Sequence, residues 1–176
     1  MKKIVIYKSR TGFTKKYAEW IAEDIKADIF RVQDIKKDTL MDYDIIIYCG
    51  GLYAGGILGF SFIKKNFNDL TNKKIIVVAV GATTTGKEAE KEVKNKNFPP
   101  VMNNKISFFL LRGGLDYKKM KISDKFLMWL LVKSLKLKKY DDLDDDSKGI
   151  IATYGKVVDF TNRNTIKPII DFINKD

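Results

Sequence analysis

Five short aliphatic runs, at residues 4–7, 27–32, 44–49, 74–80 and 106–111, recur along the chain with helix-patterned segments between them. Runs this apolar, with few polar residues for an exposed face, suit parallel strands covered on both sides. The intervening segments carry the helical period. Residues 14–26 place Ala18, Ile21, Ala22 and Ile25 on one face, 58–70 offer Phe62, Ile63 and Phe67, and the last helix, from about Thr165, offers Ile166, Ile169, Ile170 and Ile173 with Pro168 in its first turn. Residues 87–96 are almost wholly charged, with Glu and Lys at helix spacing, so that helix is expected on the surface. Strand and helix in alternation predict an α/β doubly wound sheet with right-handed crossovers, and ligands in such sheets bind beyond the carboxyl ends of the strands.

The loops to inspect are therefore those after Tyr7, Cys49, Val80 and Leu111. The first reads Ser9-Arg10-Thr11-Gly12-Phe13-Thr14 and runs directly into a helix. A helix N-terminus offers unpaired N–H groups and partial positive charge, Gly12 permits a left-handed backbone, and three hydroxyls add neutral donors. That chemistry suits a phosphate. A plainer reading stays open, in which Thr14 caps the helix while Ser9 and Thr11 are turn residues. No G-x-G-x-x-G follows this strand, and Tyr7 and Lys8 stand where a phospho-acceptor site would need carboxylates. The later stretch GATTTGKE nearly spells a P-loop, but Glu88 occupies the place of the magnesium-binding hydroxyl. It reads instead as a Gly/Thr loop whose backbone passes close to a flat ligand.

Composition removes whole classes of chemistry. With 176 residues, 45% of them hydrophobic, and only three prolines, the chain is expected to form a single domain spanning 1–176 with an insertion at about 117–153. There is no histidine, which removes triads and the usual zinc ligands, and the one cysteine, Cys49, excludes an intrachain disulfide. Cys49 itself reads as a small core residue at a strand end. Chemistry is then expected to come from a cofactor. The apolar run at the start is too short for a secretory signal, and the longest uninterrupted one, 126–132, is far below the roughly 20 residues of a membrane span, so a cytoplasmic location is expected. The aspartates between 141 and 146 lack the spacing of a calcium loop and read as a solvated turn, without a metal.

In Ser9, Thr11, Gly12 and Thr14 the chain resembles the flavodoxins, whose phosphate loop follows a hydroxyl-x-Thr-Gly-x-Thr pattern after the first strand. The resemblance implies a flavodoxin-like three-layer α/β/α fold, with a five-stranded parallel sheet of order 2-1-3-4-5, and FMN as cofactor. It assigns the FMN phosphate to residues 9–14, Arg10 and Phe13 included. The flavin ring is assigned to Gly51, Leu52 and Tyr53 after the third strand and to Ala82, Thr83 and Thr84 after the fourth. The last third, with Gly113-Gly114-Leu115-Asp116-Tyr117 followed by a basic, apolar helix, is similar to the flavodoxin-type, menaquinone-dependent protoporphyrinogen oxidases. That likeness adds Gly113, Gly114, Leu115, Asp116 and Tyr117 to the ring enclosure. It implies an FMN-dependent oxidoreductase, protoporphyrinogen-oxidase-like or otherwise quinone-linked.

Electron-carrier flavodoxins are typically acidic, whereas this chain has a formal charge of +11. The alternative function, a carrier steered to an acidic redox partner, would use that charge. Nucleic acid is not the expected partner, since the basic residues are dispersed and no aromatic stacking platform accompanies them. Between Tyr117 and Lys139 eight lysines alternate with apolar residues and Trp129. The segment bounded by Lys118 and Lys139 is therefore either a core helix with lysine stems reaching water or a peripheral contact with an anionic membrane.

Overall fold

The computed structural model describes residues 1–82 and 85–175. Five parallel strands form the main sheet: β1 (Lys3–Lys8), β2 (Asp28–Arg31), β3 (Ile45–Tyr53), β5 (Lys74–Gly81) and β6 (Ile106–Arg112). Their order is β2-β1-β3-β5-β6, and a two-residue strand β4 (Gly56–Ile57) folds back antiparallel on the end of β3. This is the doubly wound α/β sheet expected from the alternation, in the flavodoxin-like order that the resemblance implies, with the chain reversing direction across the sheet between β1 and β3.

Strand alternation divides the core in two. On one face Ile4, Ile6, Ile46, Tyr48, Ile75, Val77 and Ala79 pack with α2 (Ser61–Asn66), the 3-10 turn Phe67–Leu70, and Phe98. On the other, Val5, Ile45, Ile47, Cys49, Ile76, Val78 and Val80 pack with α1 (Phe13–Ile25) and α6 (Lys167–Asn174). Successive residues point to opposite faces, so near-continuous aliphatic strands are needed to serve both layers. The charged helix α3 (Lys87–Asn97) buries no residue, as its composition requires.

Several local expectations are corrected. β3 runs four residues past Cys49, so Gly51, Leu52 and Tyr53 belong to the strand and its hairpin rather than to a loop. The helix expected over 58–70 is one short α-helix continued by a 3-10 turn, and the last helix begins at Lys167 after another such turn. Gly114–Asp116 forms β7, which pairs antiparallel with β8 (Val157–Asp159) in a small ribbon of its own. Between them the insertion folds as α4 (Ile122–Leu135) and α5 (Asp145–Thr153). The aspartate run is not merely a turn. Asp144 caps α5 by accepting a bond from the Ser147 N–H at 2.7 Å, and Asp145 and Asp146 occupy the first turn, where acidic groups oppose the helix dipole favourably.

Candidate functional site

A cleft of about 920 Å³ opens beyond the carboxyl ends of the parallel strands, within the range of small-molecule sites. Its floor is the turn from β1 into α1. Gly12 takes φ 105°, a left-handed conformation that an L side chain rarely adopts, and this redirects the chain so that α1 starts at Phe13. Ser9 Oγ accepts from the Gly12 N–H at 3.1 Å and tightens the turn. Gly12, not Thr14, is the N-cap. Thr14 is buried, and a Cβ on Gly51 would stand 3.1 Å from its hydroxyl, a tight contact that the absence of a side chain at 51 avoids.

The structure gathers most of the residues singled out from sequence. All six of residues 9–14 line the cleft, with Gly51, Leu52 and Tyr53 on one side, Ala82 behind, and Gly114, Leu115 and Asp116 opposite. Thr83 and Thr84 lie outside the described residues. Gly113 and Tyr117 do not line the cleft. The Gly113 N–H donates to the Gly81 carbonyl at 2.6 Å, and a Cβ there would press to 2.6 Å from Val80 and 3.3 Å from Phe13. Its glycine is thus explained by packing of β6 against the start of α1. Tyr117 turns away to meet Tyr154 edge-on at 5.3 Å, with Lys125 over its ring. Cys49 is fully buried in the core, and burial pushes its thiol pKa up, away from reactivity.

The GATTTGKE stretch splits. Ala82 borders the cleft while Lys87 starts α3 and faces a separate open depression with Lys91 and Glu92, so this lysine is not aimed at the phosphate floor.

Sequence inspection missed a cluster at the cleft mouth. Asp124, in the first turn of α4, is buried and accepts from Arg10 at 2.7 Å and from the Tyr53 hydroxyl at 2.7 Å. The Arg10 guanidinium also lies 4.0 Å from the Tyr53 ring centroid, a cation–π contact. Burial alone would raise the Asp124 pKa, but the bonds from Tyr53 and Arg10 and the Arg10 charge outweigh it and hold the carboxyl below its usual range. The same Asp124 bond raises the Tyr53 phenol. Arg10, placed by sequence among phosphate ligands, thus spends its side chain bridging the β1–α1 turn to the inserted helix. It also covers one face of the tyrosine expected beside the ring. Farther along α4, Leu127, Met128 and Leu131 form an apolar wall. Nothing local in the sequence links position 10 to position 124; the only hint was an acidic residue inside an otherwise basic, apolar helix.

The residues present fit a phosphorylated, flat heterocycle. The floor offers backbone N–H groups of a helix start with hydroxyls and no carboxylate. Among the described residues, the two carboxylates that line the cleft are already engaged: Asp124 as above, and Asp116 by the N–H groups of Lys118 and Lys119 at 3.1 and 3.2 Å and by the Lys119 ammonium at 3.3 Å. Neither is left free to repel an anion.

Comparison with known proteins points the same way. A family model described as the flavodoxin domain matches residues 4–142. An uncharacterised protein of Methanocaldococcus jannaschii is 30% identical over 130 residues, covering 66% of this chain and 85% of its own length. Similar solved structures include a putative flavoprotein from Bacteroides eggerthii, at TM-score 0.48 and 14% identity over 76% of this chain and 98% of that one. The two-electron reduced flavodoxin of Megasphaera elsdenii aligns at TM-score 0.44 and 16% identity, over 62% of this chain and 85% of that one.

Proposed function

This chain belongs to the flavodoxin-domain family, whose cofactor is FMN, and we propose that it is an oxidoreductase exchanging electrons with a planar, apolar partner of the quinone class. On this reading it is related in activity to the menaquinone-dependent protoporphyrinogen oxidases. FMN, when bound, supplies the hydride and electron chemistry. The chain's share is to bind and orient. The N–H groups at the start of α1 and the hydroxyls of Ser9, Thr11 and Thr14 would hold the phosphate. Leu52, Tyr53, Ala82 and Leu115 would bound the ring.

One observation carries the substrate class: beyond Asp124, which is taken up by Arg10 and Tyr53, the inserted helix α4 lines the cleft with Leu127, Met128 and Leu131. An apolar wall beside a flavin favours a flat hydrophobic reactant and excludes water from the space it fills. The formal charge of +11 supports a second reading, an electron carrier that docks on an acidic redox protein.

Absorption spectroscopy of the purified chain with added FMN, followed by assays with protoporphyrinogen as donor and menaquinone as acceptor, separates these. Turnover supports the quinone-linked oxidoreductase. A flavin-loaded protein that turns over neither substrate, yet reduces or oxidises an acidic redox protein, supports the carrier and sinks the first reading.

A further inference from the structure

Helix α4 carries apolar side chains on several sides, interrupted by Asp124, Lys125 and Lys133. Val132 and Leu135 are buried, and the helix packs on α5 of the same insertion. The spacing i, i+4, i+7, i+8 puts Ile122, Phe126, Trp129 and Leu130 on a ridge facing solvent, with Ile122 87% and Phe126 57% exposed. Phe126 and Trp129 stack with ring centroids 5.8 Å apart, so the ridge is a continuous patch rather than scattered side chains. A contiguous exposed apolar patch of this kind ordinarily marks a contact surface.

The charges around the ridge select what covers it. Between Tyr117 and Lys139 there are eight lysines and one acidic residue. That residue, Asp124, is turned inward to Arg10 and Tyr53. A second copy of the chain would set lysines against lysines. An apolar ridge with a tryptophan at its middle and lysines at both ends instead matches the boundary of an anionic bilayer, where rings sit at headgroup depth and ammonium groups meet phosphates. At 14 residues α4 is suited to lying in that plane, and among the described residues no helix is long and apolar enough to cross a membrane. The aspartates of 141–146 follow Lys139 and bound the cationic stretch, which centres the contact on residues 126–136.

We propose that α4 is a docking element for an anionic lipid surface, through the Ile122, Phe126, Trp129 and Leu130 ridge and its flanking lysines. Docking of this kind needs no flavin, so it stands or falls separately from the redox reading.

The test is sedimentation of the full chain, with and without added FMN, with phosphatidylcholine vesicles that either contain or lack phosphatidylglycerol. In a Trp20→Phe background Trp129 is the one remaining tryptophan, and its emission is read alongside. Binding to the anionic vesicles is expected to exceed that to neutral ones by roughly tenfold or more, with a blue shift of Trp129. Phe126→Glu with Leu130→Glu should abolish it while leaving the far-UV circular dichroism unchanged, because both side chains are exposed. Lys133→Gln with Lys136→Gln should weaken anionic binding roughly thirtyfold. Equal and negligible binding to both vesicle types overturns the proposal. So does a concentration-dependent dimer, seen by analytical ultracentrifugation and abolished by Phe126→Glu, since a second copy would then cover the ridge.

Discussion

Removing Asp124 should destabilise the protein chiefly by releasing the phosphate loop and β3 from the inserted helix. Its carboxylate accepts two short bonds, both at 2.7 Å, from Arg10 and Tyr53. A hydrogen bond to a charged group contributes about 1.5–3 kcal/mol. The Arg10 side chain, however, is 37% exposed against 7% for Asp124, so on release it regains water, and its share falls to about 1 kcal/mol. With the Tyr53 bond at about 1.5 kcal/mol, Asp124→Ala should cost about 2.5 kcal/mol in urea unfolding. Arg10→Ala should cost less on its own account, but it leaves a buried carboxylate supported only by hydroxyls. The double-mutant cycle between the two should therefore give a coupling of about 1 kcal/mol. The pH dependence has a definite sign. The Asp124 pKa is lowered in the folded protein, so its contribution is complete above the unfolded carboxylate value of about 4 and is lost as the pH falls through the folded value. The coupling should be flat between about pH 5 and 8 and shrink below about pH 4. A coupling under about 0.3 kcal/mol at neutral pH would show the two sites to be independent and refute the bridge.

Thr11→Ala and Thr14→Ala should each weaken FMN binding by about 1–3 kcal/mol, measured by quenching of flavin fluorescence; unchanged affinity in both would defeat the phosphate assignment. Gly12→Ala should lower both stability and FMN affinity, because φ 105° is strained for any L residue; a variant as stable as the parent would show that the turn relaxes freely. The Tyr43 hydroxyl donates to Asp28 at 2.7 Å, and that bond, with burial, pushes its pKa up to about 12. Since the folded value is raised, Tyr43→Phe should cost about 1 kcal/mol below pH 10, and the difference should vanish as the pH rises toward 12. Cys49, buried and with its thiol pKa raised, should resist alkylation in the native protein and react promptly in urea; rapid native labelling would contradict its burial.

Local periodicity carried the fold a long way. Strands that must serve two layers are aliphatic throughout, and Ala18, Ile21, Ala22 and Ile25 sit one helical face apart, so both the sheet and the covering of α1 were legible before any contact was known. The turn from β1 into α1 was legible for the same reason: a strand, a glycine with hydroxyls and a helix start are consecutive in the chain, and their chemistry depends on the turn they make together. Asp124 was not. Its partners are 114 and 71 residues away, and no local pattern specifies which lysine-rich segment returns to which loop. β7 and β8 were hidden likewise, because three-residue strands 41 positions apart acquire their identity only from pairing with each other. Gly113 and Tyr117, expected beside the cofactor, stand outside the cleft lining, where Gly113 packs near Val80 and Phe13 and Tyr117 meets Tyr154. Residue types and their spacing determined the sheet and the glycine turn that leads from β1 into α1. Only long-range pairing decided which side chains close the cleft, and that the arginine of the β1–α1 turn would be held by a helix inserted more than a hundred residues later.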